Sequence, residues 1–192
     1  MSTLAQIREE MIADPSNAWA RELGYAPIYR VAPRTRVLVI GQAPGRKAQE
    51  SGAPFTDASG DTLRSWLGVS AEQFAAPAVG VLPMDAFYPG RGKGGDLPPR
   101  PEFATLWHPR ILAELPDVRL TVLVGRYAQR QYLGLPSSVS LTETVRGYRD
   151  HLPLFPIVHP SPLNFRWQAK NPWFQAEIVP VLRELVADAL RP

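Results

Sequence analysis

The chain is 192 residues long, 45% hydrophobic and 20% charged, with a formal net charge of +3 and no cysteine. That size and composition describe one ordinary globular domain, expected to span residues 1–192. They exclude disulfides, thiolate metal sites and cysteine-held iron–sulfur clusters, and no apolar run approaches the ~20 residues a membrane helix needs.

The opening stretch MSTLAQIREEMIADP mixes charges through its apolar positions, unlike a signal peptide, so a cytoplasmic location is expected. Lysine and arginine gather unevenly: Arg91, Lys93 and Arg100 in one loop, Arg146 and Arg149 in another stretch, Arg166 and Lys170 in a third. Such patches suit a phosphate backbone, and equally an ordinary solvated surface.

In chain order, Thr3–Ala13 reads as a helix with Leu4, Ile7 and Met11 on one face. Val37–Ile40 is a continuous aliphatic run, the signature of a strand covered on both faces. Ser59–Leu67 reads as a helix stopped by Gly68, and Ser70 opens a short one through Phe74. Val79–Leu82 is a second apolar strand, followed by PGRGKGGDLPPRP, whose prolines and glycines argue against regular structure. Glu102–Leu115 is a helix that Pro109 should break or kink. Leu120–Gly125 is a clean strand, Tyr127–Leu133 a helix, Thr142–Arg149 a short helix or turn, and Leu154–Val158 the last strand. Trp173–Leu190 closes the chain as a helix around Pro180. Strands alternating with helices imply a parallel sheet between helical layers, with ligands bound beyond the carboxyl ends of the strands. Three of those ends carry unusual loops: Gly41–Gly45, Pro83–Pro101 and His159–Asn164.

The loop Gly41-Gln42-Ala43-Pro44-Gly45 lacks the spacing and the Lys-Ser/Thr of a phosphate-cradling P-loop, and it is no dinucleotide fingerprint. Alone it is turn chemistry. With Pro54-Phe55 and His159-Pro160-Ser161, in that order along the chain, it resembles the uracil-DNA glycosylase superfamily. The layout is most similar to the iron–sulfur branch, and with no cysteine that branch's cluster cannot be present.

The resemblance implies a three-layer α/β/α sandwich around a central, mainly parallel four-stranded sheet. It implies a DNA glycosylase without cofactor or metal, acting as a monomer on DNA that carries a damaged or deaminated base, uracil first among them. Excising a base requires taking it out of the stack. Phe55 is then the stacking partner, the alternative being core packing. His159 is the donor over the negative charge developing on the leaving base, and Ser161 grips a flanking phosphate. Gly41, Ala43, Pro44 and Gly45 line the base, with Gln42 placed to hold water.

Relatives often carry a carboxylate or asparagine in that loop; here stand Gln42 and Ala43, and glutamine cannot accept water's proton. The resemblance therefore points to Asp57, with Asp61 in reserve; the plainer readings are a helix N-cap and a first-turn charge. Asp85 stands near the place of a base-reading asparagine and suggests a base presenting amino groups. Leu163, Phe165 and Trp167 are candidates for a wedge into the duplex, Asn164 is a candidate DNA contact beside them, and Arg166 is a candidate phosphate contact. Arg91 and Lys93 would form a basic arm on the same rim. Beside the glycosylase reading stand a catalytically weak or inactive nucleic-acid- or base-binding module of the same fold, and a hydrolase or binder of free nucleotides.

Overall fold

The computed structural model describes residues 3–136 and 138–192. Four parallel strands form the central sheet: β1 (Val37–Ile40), β2 (Val79–Val81), β5 (Leu120–Val124) and β6 (Leu154–Ile157), in the order β2-β1-β5-β6. The run Val37–Ile40 explains why both faces must be covered. Val37 and Val39 point into one core and Leu38 and Ile40 into the other, and all four are fully buried. The sequence is apolar without alternation because no face of this strand meets water.

On the first face lie α4 (Ala58–Leu67), α5 (Ala71–Ala75), α8 (Leu141–Arg146) and α10 (Val179–Leu190), through Leu63, Phe74, Val145, Leu182 and their neighbours. On the second face lie α1 (Leu4–Ala13), α2 (Ala18–Glu22), α6 (Pro101–Leu112) and α7 (Gly125–Leu133), through Met11, Ala20, Trp107 and Ala128. Two short helices, α3 (Arg46–Ser51) and α9 (Phe165–Lys170), follow the first and last strand-end loops. This is the three-layer α/β/α sandwich that the alternating pattern implied.

Several local expectations are corrected. The glycine- and proline-rich loop does form a small antiparallel ribbon, β3 (Arg91–Gly92) with β4 (Gly95–Asp96). Its glycines make the turn possible, and the Leu97 amide closes it on the Gly90 carbonyl at 2.9 Å. α6 continues through Pro109 to Leu112, because Phe103, Trp107 and Ile111 are anchored in the core. Packing here overrides propensity. The closing helix starts as a π turn over Phe174–Ile178, which puts Pro180 in the first turn of α10, where a missing amide costs nothing.

Candidate active site

The first loop continues β1 directly. The amides of Met84 and Asp85 donate to the carbonyls of Gly41 and Gln42, at 2.9 and 3.2 Å, extending the β1–β2 ladder past its last strand residue. Gly41 is buried, and the Phe55 ring covers it: a Cβ on Gly41 would lie 3.6 Å from the ring. Phe55 is half-buried and adopts a positive φ of 56°, uncommon for a residue with a side chain and a recurrent feature of functional sites. Gly60 makes room for it, since a Cβ there would lie 1.9 Å from the Phe55 carbonyl oxygen.

His159 follows β6. Its Nδ1 accepts a hydrogen bond from the Ser161 amide at 3.1 Å, and its carbonyl accepts one from the Asn164 side chain at 2.8 Å. An N–H that donates to Nδ1 requires that nitrogen to be unprotonated, so the neutral ring carries its proton on Nε2. Burial holds the imidazole pKa below its ordinary value, and the charge of Asp57 opposes that effect. Gly125, the first residue of α7, has a φ of 80°, and a Cβ added there would lie 3.8 Å from the His159 Cβ.

Strand order then fixes the cross-site geometry. Ile40 of β1 pairs with Leu123 of β5, and Val124 of β5 pairs with Ile157 of β6. Two strand spacings, roughly 10 Å in all, separate the loop under Phe55 from the loop carrying His159. Gly125 lies between them at the end of β5.

Asp57 is the N-cap of α4. Its Oδ1 accepts from the amides of Ser59 and Gly60 at 3.1 and 3.3 Å, and its carboxylate is exposed. Asp61 lies in the first turn of the same helix and pairs with Arg64. The plainer readings of both residues therefore hold, although only Asp57 exerts its charge on His159.

Asp85 is placed otherwise than expected. Its carboxylate is wholly buried, and Arg100 grips it with Nε on Oδ2 at 2.6 Å and Nη2 on Oδ1 at 3.0 Å. The amides of Phe87 and Arg100 add further bonds, so no face of Asp85 is left to read a base. Gln42 and Ala43 are half-buried in the first loop, Pro44 is buried, and Gly45 caps α3. Asp96 of the ribbon lies against that loop: its Oδ2 would be 3.8 Å from a Cβ on Gly45, and its Oδ1 accepts from the Tyr88 hydroxyl at 3.3 Å. Asp96, Gly60, Arg64 and Gly125 were not legible as site neighbours. Only the Gly94-Gly95 pair, a hairpin turn signal, pointed toward Asp96.

Leu163 and Phe165 are 87% and 62% exposed, unusual for large apolar side chains, and the Arg166 guanidinium lies over the Phe165 ring. Trp167 instead packs on Trp173 and Phe174 and donates to Thr142. Ser161 caps the turn at Leu163, while Arg91 and Lys93 are exposed on the ribbon. A cavity of about 300 Å³ between α7 and α8 involves neither Phe55 nor His159. Among the described residues, no helix is long and apolar enough to cross a membrane. With no cysteine, the chain offers no thiolate for the cluster of the iron–sulfur branch.

A parallel sandwich whose special loops gather at the carboxyl ends of its strands belongs to the α/β class that binds ligands at that edge. Within that class, the chain matches the model of the Uracil DNA glycosylase superfamily over residues 28–183, which takes in all four strands and both loops. The chain belongs to that superfamily.

Proposed function

We propose that this protein is a monofunctional DNA glycosylase that hydrolyses the N-glycosidic bond of an extruded damaged or deaminated base, with uracil the first candidate. The observation that carries this reading is the state of His159: neutral, with its proton on Nε2 and its Nδ1 engaged by the Ser161 amide. A neutral imidazole with its proton on Nε2 is a donor suited to an oxygen on which negative charge develops.

In this reading the base enters between the Phe55 ring and the His159 loop, above Gly41 and Gly125. The bond from the sugar's C1′ to the base nitrogen breaks, and its electron pair leaves with the base, stabilised by Nε2–H. Water adds to the cationic sugar and its proton passes to Asp57, whose Oδ2 is not taken by the helix cap. The base, released as its anion, takes a proton from solvent, Asp57 returns its own proton to solvent, and the products are the free base and an abasic strand. Gln42 orients the water without accepting its proton. Leu163 and Phe165 enter the gap left in the stack, with Arg166, Arg91, Lys93 and Ser161 on flanking phosphates. The protein works as a cytoplasmic monomer on DNA, with no cofactor.

Asp57's service as a helix cap, together with the uncharged Gln42 and Ala43, supports a second reading, a base-binding module without turnover. One assay separates the two. Single strands and duplexes containing uracil, hypoxanthine, xanthine or mismatched thymine are incubated with the protein and then treated with alkali. Strand cleavage that disappears in His159→Ala and Asp57→Asn supports the glycosylase. Binding without cleavage supports the module, and activity confined to free nucleotides defeats both.

A further inference from the structure

The conformation of Phe55 is held from several directions, and one side chain takes part in most of them. Gly60 brings α4 directly under the Phe55 carbonyl. One turn further along the helix, Arg64 donates Nη1 to that same carbonyl at 3.3 Å. On the ring side, Phe74 meets Phe55 edge-on, centroid to centroid 6.4 Å. Phe74 is buried, and the guanidinium groups of Arg64 and Arg30 lie 5.8 and 5.2 Å from its centroid. Arg64 therefore touches both the backbone of Phe55 and the ring that buttresses the Phe55 ring. Asp61, spaced i−3 on the same helix, pairs with Arg64. The Arg64 side chain is only 20% exposed, so most of it is turned to these contacts rather than to solvent.

We propose that Arg64 is a positioning residue that fixes the Phe55 ring over Gly41, and that Asp61 serves to hold Arg64 rather than to handle water. The inference rests on the reading of Phe55 as the platform for the extruded base. A backbone in the left-handed region needs its surroundings to over-determine it. Arg64 supplies a directed charge-assisted bond to the carbonyl of that residue, and its planar cation at the same time stacks on the supporting ring. Lysine offers the charge without the fork or the flat face.

The test places 4-fluorophenylalanine at position 55 alone and reads its ¹⁹F resonance beside single-turnover excision of uracil. In the parent chain one sharp signal, shifted by the Phe74 ring, is expected. Arg64→Ala should broaden or move it toward the exposed value and slow excision about tenfold to a hundredfold, the range a misplaced contact produces. Affinity for undamaged duplex and its salt dependence should stay unchanged, which a phosphate-contacting arginine would not allow. Arg64→Lys should recover part of the rate. An unchanged fluorine signal in Arg64→Ala overturns the clamp whether or not any base is excised. A lost signal with full excision overturns its role in positioning. If the parent chain excises nothing, the glycosylase reading fails and the fluorine measurement alone decides the clamp. Should Arg64→Ala not fold, Asp61→Asn and Arg64→Lys carry the same two readouts.

Discussion

His159 owes its proposed donor state to its neighbours rather than to its own chemistry. The Ser161 amide fixes the tautomer, burial lowers the pKa, and Asp57 pulls it back up. Removing Asp57's charge should therefore lower the His159 pKa further. In Asp57→Asn the ring's ¹⁵N titration midpoint is expected to move to lower pH, and a midpoint that stays or rises would mean that Asp57 exerts no charge on His159. If the glycosylase reading holds, His159→Ala should slow excision by roughly 10²–10³-fold, as loss of a preorganised donor does elsewhere. Gly60 gives a prediction of another kind. A methyl group there meets the Phe55 carbonyl at a separation no real contact shows, so Gly60→Ala must shift the Phe55 backbone. Denaturation midpoints should fall for Gly60→Ala and stay near the parent for Gly94→Ala, where a Cβ meets nothing and the backbone is not left-handed.

At the scale of elements, the Asp85–Arg100 pair is where the chain is sewn together. Arg100 precedes α6, Asp85 follows β2, and Nη1 of Arg100 also reaches the Ser16 carbonyl and the Asn17 side chain, at 3.0 and 2.8 Å. Trp19, Phe87 and Phe103 surround the same guanidinium. Asp85's own amide supports the Gln42 carbonyl, so the pair also braces the first loop. Arg100→Ala leaves a buried carboxylate without its partner, a change that costs about 3–5 kcal/mol. The double variant Arg100→Ala/Asp85→Ala should lose less than the sum of the two single losses, measured by urea denaturation; strict additivity would show that the two groups are uncoupled. None of this pairing was legible in the sequence. Asp85 stood out as the one acidic side chain in an apolar stretch, but its partner is fifteen residues away across a proline-rich loop, and no local pattern encodes such a pair. The strands behaved differently. Val37–Ile40 and the run from Leu120 announce themselves through continuous burial, whereas α3 and α9 are too short to display a period.

Across the whole molecule the order of motifs carried more information than any one of them. Gly41–Gly45 and Phe55 meet at the end of β1, and His159, distant in the chain, is brought to the same edge because β1, β5 and β6 are neighbours in a parallel sheet. Fold and motif order were readable; the cap bonds, the clamp on Phe55 and the tautomer of His159 depend on atoms that only packing brings close. Packing also hides a second histidine, His108, which joins the helical layer to the strand ends. The Pro83 carbonyl can only accept, so Nε2 of His108 donates to it at 3.0 Å, and Nδ1 accepts from the Tyr132 hydroxyl at 2.6 Å. Burial pushes this imidazole from an ordinary 6.5 down to about 4, against opposing contributions from the Pro83 bond and Asp85. The unfolded chain therefore takes up this proton at a higher pH than the folded one, and acid favours unfolding. The stability contributed by keeping His108 neutral is full above pH 6.5 and is lost as the pH falls to about 4, a change of roughly 3 kcal/mol at most. His159 acts in the same direction, so the variant must isolate His108. Gln at position 108 can still donate to Pro83 and does not titrate. Urea midpoints measured between pH 7 and pH 4 should fall steeply for the parent and less steeply for His108→Gln. Parallel curves would show that the folded state protonates His108 as readily as the unfolded chain does, and that burial does not hold it neutral.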